Sequence, residues 1–268
     1  MSINVTKKHN INIVGNKDAA QTVVFAHGFG SSQEAFESML PYFERDYRIV
    51  LYDNVGGGKS DMAAFNTTKY SSLQGYVLDV IDIFRELGLK DVIYVGHSMS
   101  GMVGLLASLR HPEFFKKLVM VGASPRYLND ETASYVGGFT QEALEGVYDT
   151  MRTNYKAWTA GFSAMVMAAP DRPDLVNTFA GTLGAIRPDI ALFAAKVIFE
   201  SDYRSEISKS TVPVLVLQTK EDVAVPLTVG DYLHEHIKGS ILKVVDTDGH
   251  FPHMREPKAV AEAILNFI

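Results

Sequence analysis

Short β-branched runs alternate with amphipathic helical patterns through the first half of the chain. The runs lie at residues 23–26, 49–52, 92–95 and 118–121. Runs this continuously apolar read as strands buried on both faces, and strands separated by helical stretches join in parallel through crossovers. The helices are legible in between. Ser31 and Glu34 make a capping-box pattern ahead of Phe36, Met39, Leu40 and Phe43, which share one helical face. Leu73, Val77, Val80, Ile81, Phe84 and Leu87 repeat that period, and Gly88 supplies a stop. From residue 126 to 205 the strand signal vanishes, and helical stretches are punctuated by Gly137-Gly138, by prolines at 170 and 173, by glycines at 181 and 184 and by Pro188. Strands return at 214–217 and 241–245, and a last helix starts near Pro257 and runs through Val260, Ile264 and Phe267. The pattern predicts an α/β fold with a mainly parallel sheet and helices on both faces. Its core spans 1–125 and 206–268, interrupted by a four-helix insertion over 126–205.

Composition narrows the partners. The 268 residues carry a formal charge of −6, with 25 Lys and Arg spread along the chain and no polybasic run, which argues against nucleic acid or anionic lipid as ligand. Lys7 and Lys8 are followed by no apolar segment of signal-peptide type, and no stretch approaches the ~18 apolar residues a membrane span requires. The expectation is a soluble, unprocessed, cytoplasmic protein. The chain has no cysteine, so disulfides, thiolate metal sites and a cysteine nucleophile are excluded. A nucleophile must come from Ser, Thr, Lys or a carboxylate.

Gly96-His97-Ser98-Met99-Ser100 follows the run at 92–95 and precedes a helical pattern of Met102, Val103, Leu105, Leu106 and Leu109. A serine on so tight a strand-to-helix turn has its hydroxyl forced out at the carboxyl edge of the sheet, above the positive end of a helix. The usual fingerprint is Gly-x-Ser-x-Gly; here Ser100 holds the final glycine position and Gly101 comes one residue late. Taken alone, the same serine also reads as an N-cap.

Two further segments supply partners. Asp222 follows the run at 214–217, and His250, in Asp248-Gly249-His250, follows the run at 241–245, so both are expected at the sheet edge that carries Ser98. A histidine would take the serine proton, and a carboxylate would hold that imidazole in one tautomer. Glu221 is the rival acid. His27, His97 and His253 are rival bases, each with a structural reading: His97 adjoins the nucleophile in the turn, His27 belongs to another motif, and His253 lacks a preceding glycine. That other motif, His27-Gly28-Phe29-Gly30, directly follows the run at 23–26. Acyl transfer places negative charge on a carbonyl oxygen, and the backbone N–H groups of Phe29 and Met99 are the expected donors to it. Asn54-Val55-Gly56-Gly57-Gly58-Lys59-Ser60 ends like a phosphate loop, but position 53, where such a loop needs glycine, is Asp.

With these residues placed, the chain resembles the small α/β-hydrolase family that includes the bacterial stress-response regulator RsbQ and the plant karrikin and strigolactone receptors. The stretches carrying the resemblance run nearly end to end: His27-Gly28-Phe29-Gly30, Leu51-Tyr52-Asp53-Asn54, Gly96-His97-Ser98-Met99-Ser100, Ser124-Pro125-Arg126-Tyr127-Leu128-Asn129-Asp130, Asn154-Tyr155-Lys156-Ala157-Trp158, Leu217-Gln218 and Gly249-His250-Phe251-Pro252-His253. Ser100 resembles the plant receptors' form of the turn, while Pro252-His253-Met254 is closer to RsbQ. The resemblance implies an α/β-hydrolase fold with a V-shaped lid of four helices over an apolar pocket. It favours Asp222 over Glu221, from the spacing to Pro226, and implies Phe29, Tyr127, Trp158, Phe162, Phe199 and Val223 as pocket-lining positions. Phe162, Met165 and Met167 also read as lid core.

Two function classes follow. One is a serine hydrolase of a small apolar ester or lactone, butenolide-like compounds included, acting through Ser98, His250 and Asp222 without cofactor or metal. The other is a signalling protein that captures or slowly cleaves such a ligand and then engages a protein partner through its lid. A carbon–carbon bond hydrolase or a cofactor-free haloperoxidase uses a similar triad, whereas haloalkane dehalogenation requires a carboxylate where Ser98 stands.

Overall fold

The computed structural model describes residues 4–268. Among these residues, seven strands form one sheet: β1 (Asn12–Gly15), β2 (Thr22–Ala26), β3 (Arg48–Tyr52), β4 (Val92–His97), β5 (Phe115–Val121), β6 (Val214–Glu221) and β7 (Ile241–Asp248). Their order is β1-β3-β2-β4-β5-β6-β7, and every pairing is parallel except that of β1 with β3. All six apolar runs became strands. β1 gave no signal because it is a half-exposed edge whose polar Asn12 and terminal Gly15 break any apolar run.

The helices are α1 (Val5–Lys8), α2 (Gln74–Glu86), α3 (Met99–Arg110), α4 (Gln141–Thr153), α5 (Tyr155–Met167), α6 (Pro173–Gly184), α7 (Pro188–Phe199), α8 (Arg204–Ile207), α9 (Leu227–His236), α10 (Pro252–Arg255) and α11 (Pro257–Phe267). Alternate strand residues feed two cores. Val24, Val50, Tyr94 and Met120 face the side covered by α2, α3 and α9, while Phe25, Ile49, Val95 and Val119 face Phe36, Met39 and Phe43 together with Val260 and Ile264 of α11. Burial on both faces is what the continuous apolar runs require. Gly88 ends α2 with φ +61, the left-handed C-terminal stop that glycine provides most readily. No helix among the described residues is long and apolar enough to cross a membrane.

One local expectation fails. The segment after Ser31 is a run of 3-10 turns, Gln33–Tyr42, containing Pro41, and no serine caps it. The Gln33 N–H donates instead to Asp53 Oδ1 at 2.8 Å, and Glu34 pairs with Lys59 Nζ at 2.5 Å. A carboxylate from the loop after β3 supplies an acceptor at the start of this segment, while the Glu34 carboxylate is drawn away to Lys59. The apolar face survives: Phe36, Met39 and Phe43 are fully buried.

Strand order reverses between β2 and β4, so the loops leaving these two strands flank a crevice at the carboxyl edge of the sheet. Between β5 and β6, α4 packs on α5 and α7, and α5 on α6. Side chains from α5, α6 and α7 roof that crevice.

Candidate active site

The turn after β4 is strained. Ser98 has φ 54 and ψ −124, a region that costs a side-chain-bearing residue of order 1–3 kcal/mol and persists only where the surroundings enforce it. Gly96 and Gly101 permit the turn, since a Cβ on Gly96 would lie 2.4 Å from the Ser100 carbonyl oxygen and one on Gly101 2.6 Å from Ala123 Cβ. Ser98 occupies the N-cap position of α3, yet its side chain caps nothing. Its Oγ is turned to His250 Nε2, 2.8 Å away, and His250 Nδ1 lies 2.6 Å from Asp222 Oδ2. The second Asp222 oxygen accepts the N–H groups of Ala224 (2.9 Å) and Val225 (3.2 Å). The structure thus joins loops after β4, β6 and β7 into one hydrogen-bonded chain, with Ser98, His250 and Asp222 each at most 7% exposed.

The rival residues lie elsewhere. Glu221 is exposed, and it is its backbone carbonyl that accepts the Gly249 N–H, at 2.7 Å. His253 is fully buried against Phe36 (ring centroids 4.7 Å apart), and neither ring nitrogen has a hydrogen-bond partner among the described residues. Burial, and then the nearby His250, push its pKa down to about 3. His97 Nε2–H donates to the His250 carbonyl at 2.8 Å, and burial together with His253 and His250 holds the ring well below the usual histidine range. His27 accepts the Asn54 N–H at Nε2 (3.0 Å), so its proton sits on Nδ1 and is donated to the Gly28 carbonyl at 2.8 Å; burial lowers its pKa as well.

The His27 loop passes directly over the serine. A Cβ on Gly28 would lie 2.8 Å from His97 Nδ1 and 3.0 Å from Ser98 Cβ. Among the described residues neither the Phe29 nor the Met99 N–H has a hydrogen-bond acceptor. Met99 is the first residue of α3, where the helix leaves N–H groups unpaired. Gly28→Ala is therefore expected to displace the loop and lower kcat on a small aryl ester by about 10–100-fold, as misplacement by an ångström can. Far-UV circular dichroism should be unchanged, and steady-state kinetics read the effect.

Ser98 and His250 open into a narrow, largely apolar cavity lined by Phe29, His97, Tyr127, Phe162, Val166, Phe179, Ile198, Phe199, Ala224 and Phe251. Tyr127 does more than line it, because its hydroxyl lies 3.3 Å from Ser98 Oγ. With the serine proton directed to His250, the tyrosine is left as the donor of that contact. Two expected lining residues are absent. Trp158 stacks on the cavity-lining Phe162 at 5.2 Å without lining the cavity itself, and Val223 is 50% exposed on the acid loop. Of the two methionines, Met165 is exposed and Met167 buried outside the cavity. Val166, Phe179, Ile198, Ala224 and Phe251 were not anticipated, although Val166 lies one helical turn beyond Phe162 and Ala224 two residues past Asp222.

Comparison with known proteins agrees with the fold. A family model described as alpha/beta hydrolase fold matches residues 21–257. A karrikin insensitive 2 receptor of Petunia hybrida is 43% identical, covering 98% of this chain and 97% of its own. A strigolactone esterase of Pisum sativum is also 43% identical, covering 95% and 94%. Among solved structures, a hydrolase from Oleispira antarctica superposes with a TM-score of 0.95 at 34% identity, covering 98% of this chain and 96% of that one. With the family model spanning most of the chain and these relatives nearly all of it, the chain belongs to the α/β-hydrolase family, in the group of the karrikin receptors and strigolactone esterases.

Proposed function

We propose that the chain is a serine hydrolase that cleaves small apolar carboxylic esters or lactones, butenolide-like compounds among them, through an acyl-enzyme. The observation that carries this reading is the unbroken Ser98–His250–Asp222 chain, 2.8 and 2.6 Å in its two links, at the floor of an apolar cavity. Ser98 Oγ attacks the substrate carbonyl as His250 Nε2 takes its proton, and Asp222 stabilises the resulting imidazolium. The free N–H groups of Phe29 and Met99 donate hydrogen bonds to the carbonyl oxygen as negative charge develops on it. His250 then returns the proton to the leaving oxygen and activates water for the second half. In a lactone the leaving alkoxide stays attached, so ring opening leaves the hydroxyl and the acyl ester in one molecule. A cavity walled by Phe29, Phe162, Phe179 and Phe199, with the Tyr127 hydroxyl as its polar point, suits a ligand of this kind. The names of the relatives support the lactone class.

A fluorophosphonate probe tests the reading. A mass adduct on Ser98 is expected, and an adduct on any other serine overturns it. A panel of aryl esters and butenolides, followed at single and multiple turnover, then identifies the preferred acyl group. The acid limb of its pH profile is a second check. Because burial holds His27, His97 and His253 below the usual histidine range, none of these three is expected to take up a proton as activity is lost on acidification. Log(kcat/KM) should fall with a slope of one; a slope of two would bring in a second histidine.

One observation favours a receptor role as a second reading. The His250 N–H donates to the Val166 carbonyl in α5 at 2.7 Å, and Arg255 Nη1 donates to the Ala168 carbonyl just beyond that helix at 2.6 Å. The base is thereby tied to the helical lid, so a ligand held on Ser98 can alter the surface that a protein partner meets. Turnover well below about 1 per second, the low end of ordinary enzymes, with a ligand-induced fall in melting temperature, would mark this role.

A further inference from the structure

Ser100 stands where the usual form of the turn has glycine, and its hydroxyl is fully buried. It donates to the His27 carbonyl at 2.6 Å and accepts from Asn54 Nδ2 at 3.1 Å. Asn54 Nδ2 also reaches the His27 carbonyl, at 2.7 Å. The loops after β2 and β3 and the first turn of α3 therefore meet on one carbonyl oxygen. That oxygen belongs to the peptide immediately before Gly28-Phe29, and Ser100 immediately follows Met99.

We infer that Ser100, with Asn54, is a positioning residue that sets the spacing and aim of the Phe29 and Met99 N–H groups as the pair that receives the carbonyl oxygen. The inference rests on the reading of Ser98 as nucleophile. Two neighbouring peptide planes are fixed in sequence. The His27 C=O is held by Ser100 and Asn54, and the Gly28 C=O by His27 Nδ1–H. In a trans peptide the N–H points away from the C=O of the same plane, so holding the Gly28 carbonyl directs the Phe29 N–H. Ser100 also fixes the distance between that plane and the start of α3, where the Met99 N–H lies. The loop after β3 thereby gains a purpose: its glycines at 56, 57 and 58 shape a turn that leaves Asn54 buried on this carbonyl, with its own N–H on His27 Nε2. Losing the hydroxyl leaves Asn54 Nδ2 bonded to the His27 carbonyl, so no buried amide is stranded and the fold has no cause to collapse.

The test uses Ser100→Gly, which restores the usual fingerprint, and Ser100→Ala, each as the full chain. Kinetics are measured on a small aryl ester, and affinity for phenylboronic acid is measured alongside. Phenylboronic acid adds to the serine as a tetrahedral anion and so reports on the oxygen site itself. Both variants are expected to lose about 10–100-fold in kcat with KM within about threefold, since an imperfectly aimed donor forfeits part of the 10²–10³ that a whole one contributes. The boronate Kd is expected to rise in step with the loss of kcat. Asn54→Ala provides a second route to the same readout if either serine variant folds poorly. The inference is overturned if kcat stays within twofold, if KM carries the loss, or if boronate affinity is unchanged while only the melting temperature drops. Fluorophosphonate capture on Ser98 of the unaltered chain reports the underlying reading separately, so the two failures are distinguishable.

Discussion

Ser98→Ala is expected to lower kcat on a small aryl ester by at least about 10⁴-fold and to abolish the fluorophosphonate adduct, because among the described residues Ser98 Oγ is the one hydroxyl bonded to His250 Nε2. The fold should survive intact. Ser98 is held at φ 54 by the glycines and packing around it rather than by its hydroxyl, and alanine keeps the same Cβ in the same strained backbone. What the substitution removes is one oxygen, leaving His250 Nε2 and the Tyr127 hydroxyl facing a space that water can fill. Lactone affinity, read by thermal shift, should stay within a few-fold, since the aromatic walls supply the contact area. Retention of more than about 1% of activity would transfer the nucleophile elsewhere. The same variant separates the two function classes: under the receptor reading, ligand still binds, but the ligand-induced fall in melting temperature is lost with the covalent step.

Much of this site was legible before any coordinates, and the reason lies in the fold. In a doubly wound sheet the carboxyl ends of the strands share one edge, so Phe29, Ser98, Asp222 and His250, each just after an apolar run, had to come together. What eluded the sequence depends on side-chain direction. Val223 and Trp158 rested on the family resemblance alone, and a residue's place in a motif does not say which way it points: Val223 is exposed on the loop whose Asp222 is buried, and Trp158 is buried against Phe162 without lining the cavity. The capping box does not form because Glu34 pairs with Lys59, and Asp53, distant in sequence, supplies the acceptor at the start of the segment. Ser100 weakened the motif as a pattern, yet in three dimensions it is the residue that joins the turn to the loop above it.

Asp222→Asn is expected to lower kcat by about 10³–10⁴-fold with little change in stability, and the geometry fixes the reason. One carboxylate oxygen accepts the N–H groups of Ala224 and Val225, so an asparagine must place its own carbonyl oxygen there and turn its NH₂ toward His250. That NH₂ would donate to His250 Nδ1, whose partner is now the carboxylate oxygen at 2.6 Å. The imidazole would then carry its proton on Nε2, facing Ser98, and could no longer accept the serine proton; it would also lack the negative charge that stabilises the imidazolium. Because all three hydrogen bonds of the site are remade, the melting temperature should move by only a few degrees, which separates a wrong tautomer from a damaged fold. Glu221→Gln is the paired control. Its side chain is exposed, outside the chain of contacts, so activity should stay within about threefold. If Asp222→Asn kept more than a tenth of the activity while Glu221→Gln lost it, the acid would be Glu221, and the loop after β6 would have to rearrange in solution to present it.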